Sequence, residues 1–143
     1  NELYLGLNYK AGKMNKDFHG ASATVYMPKL DSVEVDGAVN MNIEGFTVDR
    51  LDISLDGAGQ FIGEGCDIEE LNIQTAGAVN VDFSESEIEN ADVHVDGAGN
   101  VELNMTGGVL SGLLAGISNL EYSGEVSRLD IEKDGIGGIS HKN

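Results

Sequence analysis

Asp36-Gly37-Ala38-Val39-Asn40 returns along the chain as Asp56-Gly57-Ala58-Gly59-Gln60, Ala76-Gly77-Ala78-Val79-Asn80, Asp96-Gly97-Ala98-Gly99-Asn100, Ala115-Gly116-Ile117-Ser118-Asn119 and Asp134-Gly135-Ile136-Gly137-Gly138. Its second position is always glycine, and Gly37, Gly57, Gly77, Gly97, Gly116 and Gly135 are separated by 20, 20, 20, 19 and 19 residues. A fixed period of this length marks stacked repeats, each too small to bury its own apolar face.

On both sides of each glycine, apolar and polar residues alternate. Val33-Glu34-Val35, Ile53-Ser54-Leu55 and Val93-His94-Val95 precede it; Met41-Asn42-Ile43 and Val101-Glu102-Leu103 follow it. Period two is the pattern of short, half-buried strands. A second apolar pair completes each unit: Val48 with Leu51, Ile68 with Leu71, Ile88 with Ala91, Val126 with Leu129. The unit has no helical period and lacks a leucine-rich ladder. An all-β fold is expected, a single-stranded parallel β-helix (β-solenoid) of about 20 residues per coil, with like positions stacked roughly 4.8 Å apart.

Stacking turns sequence positions into columns. The glycine column supplies a positive φ or a close backbone approach at a sharp corner. The column Ala38, Ala58, Ala78, Ala98, Ile117, Ile136 reads as the inside of the bend. Met41, Phe61, Val81, Val101, Leu120 and Ile139 should enter the core, as should Ile43, Phe83, Leu103 and Tyr122, with Gly63 leaving room for Phe61. Asn40, Gln60, Asn80, Asn100 and Asn119 form either an amide ladder or a polar stripe suited to sugar hydroxyls. Asp36, Asp56 and Asp96 either bond their own turns or attract a cation, and Ala76 and Ala115 interrupt that column.

Twenty-five acidic residues against 8 Lys plus Arg give a formal charge of −17 over 143 residues, and no cation occurs from Leu51 to Ser127. Such a surface repels nucleic-acid phosphates and anionic lipid headgroups. It is either a solvated face or an attractor of divalent cations and basic partners. Cys66 is the only cysteine, which rules out an intrachain disulfide and suits a small buried side chain. No stretch is apolar over a length that spans a bilayer, so no membrane insertion is expected.

The whole chain, 1–143, reads as one domain: about six coils over 30–143, with 1–29 as N-terminal capping strands and loop. In the cap, Leu3, Leu5 and Leu7 alternate in one strand, Lys10 to Gly20 reads as a basic loop, and Ala23 to Met27 forms a second strand ended by Pro28. At the other end, Ile139 to Asn143 stops part-way round a coil and leaves an edge through which the chain could self-associate.

Neither a nucleophile elbow nor a phosphate-cradling loop is present, and no His/Cys metal cluster is seen. The Gly-x-Gly triplets lack the strand-to-helix setting of a dinucleotide site. His19, His94 and His141 read as surface or packing residues. A polysaccharide lyase would need Arg or Lys near the abstracted proton, and residues 51–127 offer none. A hydrolase needs clustered carboxylates, for which outward pairs such as Asp82 and Glu102 give proximity alone. Neither catalytic residues nor a cofactor or metal are expected.

The run from Val25 through Tyr26-Met27-Pro28-Lys29-Leu30 to Asp36-Gly37-Ala38, the repeated Asp-Gly-Ala-Gly-Asn corners and the closing Leu120-Glu121-Tyr122-Ser123-Gly124 resemble the bacterial putative auto-transporter adhesin, head GIN domain family. The resemblance extends over roughly Leu3 to His141. Val39, Val79 and Ser118 stand where that family more often has glycine, and the family domain usually begins further upstream, so an upstream part is expected to be missing here. The resemblance implies a right-handed β-helix of pectin-lyase-like shape, export to the cell envelope or the exterior, and an adhesive role. It brings no catalytic residues. The expected function is an exported binding or adhesion module for a glycan or surface protein. A structural or self-assembling envelope element and a carbohydrate-active β-helix enzyme are the alternatives.

Overall fold

The alternation around each glycine becomes strand in a computed structural model that describes residues 24–143. The elements are β1 (Ser32–Glu44), β2 (Thr47–Thr106), β3 (Val109–Glu125), β4 (Arg128–Ile136) and β5 (Ile139–Lys142). All pairing is parallel. β1 pairs with β2 at a shift of 20 residues, Gly37 opposite Gly57, and β2 pairs with β3 at a shift of 19, Gly97 opposite Gly116. β3 then pairs with β4, Gly116 opposite Gly135, and with β5, Leu120 opposite Ile139. β2, 60 residues long, winds through successive coils and stacks on itself. The result is a β-solenoid of about six turns, with no helix among the described residues.

The first cap strand and the basic loop fall outside the described residues. The second cap strand does not form over residues 24–27, which carry no regular structure. Pro28 cannot donate to a ladder, and the side chains that would anchor a strand are exposed, Tyr26 at 95%.

Glycine is required at the corner because the coils nearly touch there. A Cβ on Gly57, Gly77, Gly97, Gly116 or Gly135 would overlap the carbonyl oxygen of the corner glycine in the coil before. Gly77 and Gly97 also take φ of +100° and +130°, where L side chains are strained. The position two residues on alternates between coils: Gly59 and Gly99 sit against the carbonyls of Val39 and Val79, and Gly137 against that of Ser118. The departures from a Gly-x-Gly corner therefore form a coil-by-coil alternation of side chain and space, and the register runs through them unchanged.

Inside the coil, Phe61, Val81, Val101 and Leu120 are buried in one column, and Ile43, Phe83, Leu103 and Tyr122 in the next. The space at Gly63 is filled by Phe83 from the following coil, not by Phe61; the two rings stack with centroids 5.8 Å apart. Parallel stacking explains the exchange, since like positions in adjacent coils are closer than successive inward positions on one strand. Cys66 is buried, and its backbone N–H donates to Ser86 Oγ at 3.1 Å. Ser86 in turn donates to the Gly63 carbonyl at 2.9 Å, which satisfies a buried hydroxyl.

One column is reversed from expectation. Ala38, Ala58, Ala78 and Ala98 lie on the outside of the bend, and Ile117 and Ile136, 64% and 75% exposed, extend that ridge. The residue after the glycine points outward because Val39, Val79 and Ser118 take the inward place. Smallness here reflects an outer corner.

Candidate binding groove

The glycine corner divides the outward columns into two faces. After the corner come Asn80, Asn100 and Asn119, then Asp82, Glu102 and Glu121, then Ser84, Asn104 and Ser123. The amides are linked along the stack. Asn80 Oδ1 accepts from the Asn100 backbone N–H at 3.2 Å, Asn119 Nδ2 donates to Asn100 Oδ1 at 3.1 Å, and the Gly138 N–H donates to Asn119 Oδ1 at 3.0 Å. Asn40 and Gln60 occupy the same column without joining these bonds. A side chain committed to the next coil's backbone has less capacity left for a ligand.

The neighbouring acids are partly tied as well. Asp82 Oδ1 accepts from Ser84 N–H at 2.9 Å and Oγ at 2.6 Å. Lys142 Nζ lies 3.0 Å from Glu121 Oε1, and the Glu121 hydrogen bond and charge, followed by Glu102, raise the ammonium pKa. Asp82 and Glu102 are thus members of a ladder of anions on a flat strand face. His141 closes its end, with Nε2 2.9 Å from the Gly124 carbonyl and its ring stacked on Tyr122 at 4.8 Å.

Before the corner lie Ser54, Gln74, His94 and Leu113, and beside them Asp56, Ala76, Asp96 and Ala115. Here the surface is concave. A groove of about 350 Å³ runs along the face, its walls including Asp56, Gln74, Ala76, His94, Asp96 and Leu113. It exists because Ala76 and Ala115 interrupt the acidic column: where neighbouring coils project a carboxylate, these coils project one methyl. Asp56 and Asp96 carry no ion pair or side-chain hydrogen bond among the described residues, so of the two readings of this column, bonding to their own turns is not seen at these acids. His94 Nδ1 is 3.2 Å from Asp92 Oδ1.

On the adjacent wall, Arg50 bonds Asp52 through Nε at 3.0 Å and reaches Glu70 in the next coil at 3.4 Å. Asp52 also accepts from Asn72 Nδ2 at 2.8 Å. The Arg50 hydrogen bond, more than any other influence, holds the Asp52 carboxyl below the usual carboxylate range. A depressed carboxyl suits a fixed anion better than a proton donor.

The candidate residues read from sequence thus lie on the corner, as Gly37 through Gly135, and on the face after it, as Asn40 through Asn119. Their regularity brings them into columns and not into a convergent cluster. Among the described residues no group of three or more His, Cys, Asp or Glu is arranged to hold a metal ion. The groove was missed by sequence reasoning. Its signal, alanine replacing aspartate at 76 and 115, was visible as an interruption, but reading it as a notch needs the neighbouring column Ser54, Gln74, His94, Leu113 to face the same way.

A comparison with solved structures gives a putative adhesin from Bacteroides fragilis NCTC 9343, with TM-score 0.61 and 20% sequence identity, matched over 80% of this chain and 62% of that chain. At that identity the likeness is one of fold, and the chain spans less than two thirds of that protein's length. A comparison with curated proteins returned no match. The family model described as putative auto-transporter adhesin, head GIN domain, matches residues 2–105. That match takes in the corners at Gly37, Gly57, Gly77 and Gly97, and on it the chain belongs to the putative auto-transporter adhesin, head GIN domain family.

Proposed function

We propose that the domain is an exported or cell-surface binding module that mediates adhesion and has no catalytic activity. The observation that carries this is the form of the outer surface: polar and acidic side chains held in register on a stack of parallel strands, with a shallow groove among them. A surface of this kind repeats a contact along one axis, which suits glycans or extended protein ligands. The pairs that would be called on for hydrolysis, such as Asp82 and Glu102, sit on a flat face with Asp82 held by Ser84. The partners proposed are a glycan or a surface protein.

Binding of the purified chain to glycan arrays and to a panel of extracellular-matrix proteins, with calcium present and with calcium chelated, tests the reading. Retention on at least one class is expected. No retention under either condition sinks it.

A second reading, assembly through the C-terminal edge, is favoured by one feature: β4 and β5 pair only with β3 among the described residues. Against it stands Lys133, placed opposite Leu114 in a column whose other members include Val35, Leu55 and Val95. A charge at an inward position hinders the addition of another coil.

A further inference from the structure

The groove beside Ala76 has a more specific chemistry than the rest of the surface. We infer that it is a subsite for one neutral sugar residue of a glycan, a reading that rests on the adhesive function and adds the ligand class to it.

Shape comes first. Asp56 and Asp96 lie two coils apart, roughly 10 Å at the inter-strand spacing, and Ala76 between them leaves a notch open to one side. Ala115 repeats the notch on the far side of Asp96. A groove of about 350 Å³ has the volume to take one sugar ring.

The donor and acceptor set comes next. Asp56 and Asp96 offer acceptor oxygens to sugar hydroxyls, which are donors, and charged acceptors form the stronger hydrogen bonds. Gln74 both donates and accepts. His94, with Nδ1 beside Asp92 at 3.2 Å, keeps Nε2 for a ligand. The methyls of Ala76 and Ala115 and the side chain of Leu113 supply an apolar strip for the C–H face of the ring. A few placed polar groups against an apolar wall is the make-up of a small-molecule site.

Charge narrows the ligand further. With no Lys or Arg between Leu51 and Ser127, nothing in the groove offsets a uronate, a sialate or a phosphate, and the two carboxylates repel them. The sugar must be uncharged.

The experiment is titration of the ¹⁵N-labelled chain with methyl glycosides of glucose, galactose, mannose and N-acetylglucosamine, alongside glycan-array and matrix binding by the same samples. At least one glycoside should shift the amides of residues 54–56, 74–76 and 94–96. Ala76→Asp, which fills the notch from the outside and leaves the core untouched, should weaken that binding at least tenfold, while Glu87→Gln, at an exposed position outside the groove lining, leaves it unchanged. Binding that survives Ala76→Asp, or is lost in Glu87→Gln, overturns the assignment. So do shifts produced by a lysine-rich peptide and by none of the glycosides, which would make the groove a seat for a cationic protein segment. If the wild type adheres to arrays or matrix and Ala76→Asp adheres equally, the groove fails and the adhesive function stands. If the wild type adheres to nothing, both fall.

Discussion

Leu71 and Leu129 occupy one column of the solenoid, joined through Ala91 and Leu110, yet Leu71 is fully buried and Leu129 is 44% exposed. Ile73 and Ile131 differ in the same way, one buried and the other half-buried. The residues are alike and so is the local strand. What differs is the number of coils packed against them. In a one-dimensional stack, each coil's stability is an intrinsic part plus its interfaces with neighbours, so the energetic weight of a residue is set by its place along the axis more than by its type.

The largest effect separating the two regions is expected in the aromatic centre. Phe83, fully buried, stacks on Phe61 and fills the space at Gly63, and Phe83→Ala should cost about 3–5 kcal/mol in urea unfolding. Leu129→Ala should cost about 1 kcal/mol, because nearly half of its surface stays in water. Equal costs would mean that the terminal coil is buried by something beyond the described residues.

The corner glycines give the next contrast. Gly37 and Gly77 both hold positive φ, +116° and +100°, so alanine brings backbone strain of about 1–3 kcal/mol at either. Only at Gly77 would the new Cβ also overlap a carbonyl, that of Gly57; at Gly37 no described atom lies within 4 Å. Gly77→Ala should therefore cost a further 1–3 kcal/mol or so, as overpacking does. Matching midpoints for the two variants would show that adjacent coils can part at the corner without loss.

A smaller effect is expected at the C-terminal end. Lys133→Leu restores the apolar character of its column and removes the charge that opposes edge pairing. Sedimentation across a concentration series should show self-association strengthened by about tenfold, the equivalent of part of one buried leucine. A variant as weakly associating as the wild type would mean that the edge is guarded by other means, with Lys133 incidental.

The repeat made the stack legible, because the glycine spacing set the register and period two set which residues face in. Columns after the corner, Met41 to Leu120 and Ile43 to Tyr122, followed directly. The Ala38 to Ile136 column did not, since smallness is compatible with the inner or the outer side of a bend, and only the inward turn of Val39 and Val79 decides it. Phe83 at Gly63 was missed for a related reason: the space was sought on the same strand, while packing partners in a solenoid lie one coil away. The groove was hidden because concavity comes from two columns together. Alanine at 76 means little until Gln74, His94 and Leu113 are known to rise beside it.

The smallest contrast lies between two copies of Arg-x-Asp. Arg50 pairs with Asp52 and crosses to Glu70, and Asp52 takes a further bond from Asn72, so the cluster ties one coil to the next. Arg128 pairs with Asp130 on its own strand. Because the Asp52 pKa is lowered in the folded protein, its contribution is fully present above the unfolded carboxylate value of about 3.9 and is lost as pH falls through the folded one. Exposed pairs contribute at most about 1 kcal/mol. Arg50→Met should therefore lower the urea midpoint slightly at neutral pH, with the gap to wild type closing in acid, while Arg128→Met changes it by less at any pH. Urea midpoints for both variants from neutral pH down to the acid limit of folding check this; a gap at Arg50 that persists in acid would assign its effect to packing of the Arg50 stem against the wall, and a larger gap at Arg128 would mean that ties between coils weigh no more than ties within one.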